Sequence, residues 1–111
     1  MEKSVLSEHE ETEVTDGVYL AQLAAGEKMS IQHFRIEPGA MVPEHSHEHE
    51  QTGFIHSGAL TFTVDGEEIV IGDGDSYAIP GDEPHSAKNE GDEPVRGIDI
   101  FSPPRLDVPW K

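Results

Sequence analysis

The fold is decided by residues 60–81, which read LTFTVDGEEIVIGDGDSYAIPG. Two runs rich in apolar and β-branched residues, Leu60–Val64 and Glu67–Ile71, are separated only by Asp65-Gly66. An Asp-Gly pair between such runs is the strongest short signal for a β-hairpin, because these residue types accept the positive φ that the turn requires. The stretch therefore predicts two antiparallel strands.

Short strand-like runs continue on both sides of this hairpin, and no long helical periodicity interrupts them. These runs are Val18–Leu23, Met29–Ile36, Ser76–Ile79 and Val95–Phe101. Seven or eight short strands joined by tight turns predict an all-β barrel or sandwich over residues 17–102. We expect an acidic N-terminal tail at 1–16 and a Pro-rich C-terminal tail at 103–111.

The charge balance is strongly acidic, with 23 Asp and Glu residues against 7 Lys and Arg and a net charge of -16. It argues against binding to nucleic acid or to an anionic membrane, since both need a basic patch. The acidic residues are spread along the chain, which favours a halophilic protein whose self-repulsion is screened by salt. The absence of cysteine excludes disulfides and thiolate metal sites. No signal peptide or transmembrane span is evident, so we expect a soluble cytoplasmic protein.

The apolar content is low, at 34% hydrophobic and 6% aromatic residues, which predicts a thin core. A dimer whose interface covers apolar surface would suit a chain with so few apolar residues. The C-terminal tail offers Pro103, Pro104, Val108 and Trp110 for such a contact. We therefore expect a homodimer, while packing of the tail over its own barrel stays open.

His45-x-His47 is the most informative pair for function. In a strand, residues two apart point to the same face, so both imidazoles would converge on one metal ion. Gln51 has the same parity, and His85 lies in a second segment of turn-and-strand character. Four such ligands could meet at the centre of a closed barrel. The alternative explanation is a solvated loop rich in acidic residues and histidine.

The remaining histidines are interpreted by the same parity. His49 shares the parity of the pair before it and stays open as a ligand. His56 has the opposite parity and is expected to face away from the metal. His9 and His33 have no partner pattern and are expected at the surface.

The spacing of these residues resembles two cupin motifs. The first motif is carried by Gly39, His45, His47, Gln51 and Gly58, with glutamine where the family normally has glutamate. The second motif is carried by Gly74, Pro80, His85 and Asn89. It departs from the family at Asp82, where the pattern has an internal glycine.

The resemblance covers nearly all of residues 18–101 and implies a cupin β-barrel, a jelly-roll-like double-stranded β-helix. It also implies one divalent transition metal ion per chain, without distinguishing Ni, Zn, Mn and Fe. The ligands that it implies are His45, His47, Gln51 and His85.

The last predicted strand carries a second group of candidate residues. Asp99 and Phe101 share one of its faces, whereas Ile98 and Ile100 share the other. The second face is the more apolar of the two. Parity alone therefore leaves open which face points into the barrel.

Three stretches, HSHEHEQTGFIHSG, IPGDEPHSA and DIFSPPRLD, resemble the KdgF-type cupins of pectin and alginate breakdown. Those proteins linearise 4,5-unsaturated monouronates, the sugars left by polysaccharide lyases, into 4-deoxy-5-keto acids. The resemblance implies a metal-dependent isomerase-type enzyme acting on a small anionic sugar acid. In it, Asp99 would transfer protons, Arg105 would bind the substrate carboxylate and Phe101 would shape the wall.

Gln51 in place of glutamate leaves the full charge of a divalent ion uncompensated, which suits an anionic substrate. It also weakens a comparison with dioxygenases that use three histidines and one glutamate. Two other functions stay open, because one fold hosts many reactions. They are another cupin enzyme, such as a dioxygenase or isomerase on a different small molecule, and a non-catalytic metal- or ligand-binding module.

Overall fold

The computed structural model describes residues 1–106. Within this range a short 3-10 helix, Leu6–Glu8, precedes ten strands. The strands are β1 (Thr12–Thr15), β2 (Val18–Ala25), β3 (Ser30–Ile36), β4 (Met41–His45), β5 (Glu50–Ser57), β6 (Leu60–Val64), β7 (Glu67–Ile71), β8 (Ser76–Ile79), β9 (His85–Lys88) and β10 (Val95–Ser102). None of the described residues form a helix that is long and apolar enough to cross a membrane.

The ten strands of residues 1–106 form two antiparallel sheets. The larger sheet has the order β1-β2-β3-β10-β5-β8, and the smaller has the order β4-β9-β6-β7. The all-β, jelly-roll-like class is confirmed, but in the described range no hydrogen-bonded ladder closes the two sheets into one barrel. Packing between the inner faces holds the sheets together instead.

The predicted hairpin is confirmed as β6 and β7. Leu60 pairs with Ile71 and Val64 with Glu67, so only two residues form the connection. Both have a positive φ, 52° at Asp65 and 76° at Gly66. This is the combination that a two-residue turn of type I′ requires.

The N-terminal region differs from the predicted tail. Thr12–Thr15 forms β1, which pairs with β2, and the Val14 side chain packs against the core. Its acidic and polar neighbours conceal this strand in the sequence, because Val14 is the one apolar residue among the four. The larger sheet therefore begins before residue 17. The tail residues Val108 and Trp110 lie outside the described residues, and the homodimer stays a prediction.

The core lies between the two sheets and draws buried side chains from both. These side chains are Val18, Leu20, Phe34, Ile36, Ile55, Ile79 and Val95 from the larger sheet, and Leu60, Phe62 and Ala87 from the smaller. Burial alternates strictly along β5 up to its last residue and along all of β10. Gln51, Asp99 and Phe101 therefore face the interior, which resolves the parity that the sequence left open on the last strand.

Asn89, the last residue of the second motif, is fully buried after β9. Its Nδ2 donates to the carbonyl oxygens of Ile36 at 3.0 Å and Glu93 at 2.8 Å, and its Oδ1 accepts from the Gly91 N–H at 3.0 Å. The Asn89 amide thus provides hydrogen-bond partners for three backbone groups. Buried polar groups in proteins nearly always have such partners. It fixes the β9–β10 connection against β3, and with it the start of the strand that carries Asp99.

The surface position predicted for His33 is wrong, because His33 is only 6% exposed. It lies on β3, which is flanked on both sides by β2 and β10, and its ring lies 5.7 Å from the His56 ring. Burial and the neighbouring His56 lower the pKa of His33. His9 and His56 are exposed, as predicted.

The buried His33 should make the protein less stable in acid. Above about pH 6.5 the imidazole is neutral in both states, so it adds no pH dependence. Below that pH the unfolded chain takes up a proton that the native His33 resists, so the free energy of unfolding falls as pH falls. We expect His33→Gln to lose less stability than wild type between pH 7 and 5 in denaturant titrations. Equal losses in the two proteins would contradict the assignment.

Candidate metal centre

Two of the candidate imidazoles face each other across paired strands. His45 ends β4 and pairs with His85, which begins β9, and their ring centroids lie 4.4 Å apart. His47 completes the group, and one ring nitrogen from each of the three lies within 4.8 Å of the others. Within residues 1–106 this is the group of three acidic or imidazole side chains that is close enough to hold a metal ion.

The strand argument for His47 is wrong, although the expected cluster forms. β4 ends at His45, so His47 belongs to the connection between β4 and β5 rather than to a shared strand face. Its backbone is held there by the Asp82 N–H, which donates to the His47 carbonyl at 2.7 Å. A turn inside the second motif thus positions a candidate ligand of the first.

Each imidazole has one nitrogen tied to a backbone carbonyl. The pairs are His45 Nδ1 with Pro43 O at 2.9 Å, His47 Nδ1 with His49 O at 3.0 Å, and His85 Nδ1 with Glu83 O at 2.8 Å. A carbonyl oxygen only accepts, so Nδ1 must carry the proton in all three rings. Their Nε2 atoms therefore carry the lone pairs, and a carbonyl that accepts from the other ring nitrogen typically orients a metal-binding histidine.

The Nε2 atoms are well suited to a divalent cation. His85 Nε2 is buried and has no hydrogen-bond partner among the described residues. Burial lowers the pKa of all three imidazoles, to about 4 for His45, so the rings are neutral at pH 7. Neutral imidazoles, each with one unprotonated ring nitrogen, are the usual nitrogen ligands of transition metals. The donor set therefore fits the metal that the sequence implies.

Gln51 adds an oxygen to the same group. Its Oε1 lies 3.1 Å from His47 Nε2. Because the His47 proton is on Nδ1, this approach brings two lone pairs together. Neighbouring ligands that each lie about 2.1 Å from one ion are about 3 Å apart, so the contact fits joint coordination.

The opposite end of the Gln51 amide contacts Asp99. The two side chains share a hydrogen bond, and the fully ionised carboxylate only accepts, so the Gln51 NH2 group must donate. Burial raises the pKa of Asp99 to about 6, while Tyr77, Gln51 and Arg105 act in the opposite direction. A buried carboxyl whose pKa lies near pH 7 is suited to proton transfer.

Arg105 follows β10 and turns back into the interior, where it is only 3% exposed. Its backbone N–H donates to Ser30 Oγ at 2.9 Å, which anchors it to β3. The guanidinium carbon lies 4.9 Å from the centre of the Phe101 ring, and the His47 ring meets Phe101 edge-on at 5.6 Å. Phe101 therefore forms a wall between the cationic side chain and the imidazole cluster.

One cavity brings these groups together. The candidate site residues that line it are His45, Gln51, Tyr77, His85, Asp99, Phe101 and Arg105. His49 is not in the imidazole cluster, and its carbonyl instead orients His47. His56 faces away from the site, as its parity predicts.

Tyr77 is a site residue that the sequence argument missed. Its hydroxyl donates to Asp99 Oδ1 at 2.5 Å. The available signal was its parity with the buried Ile79 on β8, which points both side chains inward. What the sequence hides is that β8 lies two strands from β10 in the sheet.

The family model of the cupin domain matches residues 32–101, which is more than half of the chain. The chain belongs to the cupin family. Among curated proteins, this cupin is 26% identical over 96 residues to the pectin degradation protein KdgF of Dickeya dadantii, which covers 86% of each chain. It is 31% identical over 69 residues to the H2HPP isomerase of Bacillus subtilis, a match that spans 62% of this chain and 29% of the other.

Solved structures support the same relationship. The structure of KdgF from Halomonas sp. superposes with a TM-score of 0.86 at 27% identity and covers 96% of both chains. An RmlC-like cupin from Shewanella frigidimarina gives a TM-score of 0.87 at 26% identity, over 96% of this chain and 95% of the other. The polyketide cyclase RemF of Streptomyces resistomycificus, at 18% identity and a TM-score of 0.83, shares the fold.

The imidazole cluster predicts close to one divalent ion per chain, measured by elemental analysis of protein purified without added metal. His47→Ala should lose most of this ion, because it removes one of three nitrogen ligands. His56→Ala, on the outer face of β5, is the matched control and should retain it. Full metal content in His47→Ala would show that the ion is held elsewhere.

Proposed function

We propose that this cupin is a metal-dependent enzyme that opens the ring of 4,5-unsaturated uronates to give 4-deoxy-5-keto acids. The observation that carries the proposal is the buried Asp99 carboxyl, which lines one cavity with His45, His85 and Arg105. A proton-transfer group, a metal-binding set and a carboxylate-binding group are the three parts that this reaction needs.

Similarity to proteins of known name supports the substrate class. The Dickeya relative is named for pectin degradation, and the Halomonas structure carries the same KdgF name. The D-x-F-x-x-x-R pattern of the KdgF-type resemblance falls on Asp99, Phe101 and Arg105. All three line the cavity, which supports carrying their roles over to this chain.

The charge of the site suits an anionic substrate. The histidines are neutral and Gln51 is an amide, so these ligands leave the charge of a divalent ion uncompensated. Arg105 and an ionised Asp99 cancel each other. A local positive charge thus lies inside a chain whose net charge is -16. A substrate carboxylate would be attracted into the cavity, and the Arg105 guanidinium can bind it with two parallel hydrogen bonds.

The reaction is an isomerisation, in which no atom is lost and no redox partner is needed. The anomeric hydroxyl gives up its proton, its C–O bond becomes the aldehyde, and the bond from C1 to the ring oxygen breaks. The ring oxygen takes the electron pair as an enolate at C5, which becomes a ketone when C4 gains a proton. Asp99 is the group that accepts the first proton and returns one to C4. A bound divalent cation would stabilise the developing enolate.

The size of the cavity limits how the substrate binds. It measures about 50 Å³, enough for an ion and a few water molecules. A sugar-acid ring must therefore lie at its mouth, with its reacting edge turned towards Asp99. The apolar wall at Phe101 would exclude water from that edge.

The Bacillus relative named H2HPP isomerase favours a second candidate, an isomerase that acts on a different small molecule. Such an enzyme could use the same buried acid/base and metal-binding set. Uronate turnover by the metal-loaded protein separates the two candidates. A non-catalytic binding module would turn over neither class of substrate.

Replacing Asp99 and replacing Arg105 should change different kinetic constants. Asp99→Asn should lower kcat about a hundredfold or more with little change in KM, because it removes a proton-transfer group. Arg105→Ala should mainly raise KM, because a carboxylate clamp binds ground and transition states alike. The measurement is the loss of the uronate's ultraviolet absorbance, corrected for spontaneous ring opening.

The exposed residues Asp92 and Arg96 provide matched controls. Asp92→Asn and Arg96→Ala make the same chemical changes outside the cavity and should leave both constants unchanged. If wild-type protein with its native metal gives no acceleration over the spontaneous reaction, the uronate proposal fails.

A further inference from the structure

Three inward-facing residues form a row across neighbouring strands of the larger sheet. Gly53 on β5 pairs with Asp99 on β10 at one side and with Tyr77 on β8 at the other. The backbones of Asp99 and Tyr77 are therefore two strand spacings apart, which is roughly 10 Å. A side chain on β8 can reach Asp99 only by crossing over β5.

Gly53 leaves the space for this crossing. It is buried between Gln51 and Ile55 on the inner face of β5. A Cβ atom built on Gly53 would overlap the ring of Tyr77. Glycine weakens a strand interior and often marks a close approach of another group, which is what the Tyr77 ring makes here.

The Tyr77 ring is held from its other side as well. The Phe62 ring, on the facing sheet, lies 4.7 Å from it between centroids, at an interplanar angle of 52°. The ring is therefore enclosed by β5 beneath and Phe62 above. This enclosure aims the hydroxyl at Asp99 Oδ1, 2.5 Å away.

We propose that Tyr77 is a positioning residue for the reaction, which holds the Asp99 carboxylate in the orientation that proton transfer requires. The inference rests on the uronate-opening function proposed above and extends it to β8. Through Tyr77 and Gln51, Asp99 receives hydrogen bonds from side chains on two different strands. A carboxyl held in this way cannot rotate freely between the two sites of proton transfer, the anomeric hydroxyl and C4.

Packing alone does not account for the tyrosine. A phenylalanine would fill the same space between Gly53 and Phe62 without bringing a polar group into the interior. Burying a hydroxyl is costly unless it finds a partner, and the partner that it finds here is the proposed proton-transfer group.

Tyr77→Phe tests the proposal, because it keeps the ring and removes the hydroxyl. We expect kcat for the unsaturated uronate to fall roughly ten- to a hundredfold, the range for losing one hydrogen bond to a charged group. KM and metal content should be unchanged. Tyr19→Phe, which alters the half-buried tyrosine beside Arg35 on the larger sheet, is the matched control and should keep full kcat.

Gly53→Ala provides a second test that leaves the hydroxyl in place. The added methyl would displace the Tyr77 ring, so kcat should fall as it does in Tyr77→Phe. Where the folded Gly53→Ala protein can be assayed, adding Tyr77→Phe to it should cause little further loss, because both changes break the same contact.

The outcomes separate this inference from the function on which it rests. An inactive wild-type protein would overturn the uronate function, and Tyr77 positioning with it. An active wild type with an unchanged kcat in Tyr77→Phe would overturn the positioning role alone. A Tyr77→Phe protein that loses metal in proportion to its lost activity would show that Tyr77 is only structural.

Discussion

The orientation of the Gln51 side-chain amide determines how the candidate metal ligands and Asp99 fit together. Gln51 lies between the imidazole cluster and a buried carboxyl, and its hydrogen bond to Asp99 fixes which end of the amide faces which neighbour. The NH2 group must face the carboxylate, so the oxygen faces His47. A glutamate here would bring two carboxylates together in a low-dielectric interior, where one of them would be forced to take up a proton. Glutamine avoids that repulsion and still offers a ligand oxygen.

The amide therefore joins two chemical functions that separate strands supply. The candidate metal-binding nitrogens come from β4, from the connection after it and from β9, whereas Asp99 comes from β10. β5 is the neighbour of β10 in the larger sheet, and it contributes Gln51 and then Gly53 two residues later on the same face. Gly53 admits the Tyr77 ring that reaches Asp99. The spacing of inward residues on one strand thus connects the candidate metal centre with the proposed proton-transfer group.

The sequence predicts local structure, and which side chains come together in the interior, better than it predicts their surroundings. The Asp65-Gly66 hairpin and the outward position of His56 follow from turn chemistry and strand parity, and both are confirmed. The reason given for His47 failed, because parity cannot anticipate that β4 ends at His45. The burial of His33 and the reach of Tyr77 depend on which strands are neighbours in the sheet, and no local pattern carries that information.

The most direct test of the account is the isotope pattern left by a reaction run in D2O. The unsaturated uronate gains one hydrogen at C4, and NMR of the product shows which of the two C4 positions carries deuterium. If Asp99 delivers that proton from a fixed position, the metal-loaded protein should label a single C4 position at the rate of turnover. Equal labelling of both positions, at the spontaneous rate, would contradict the account.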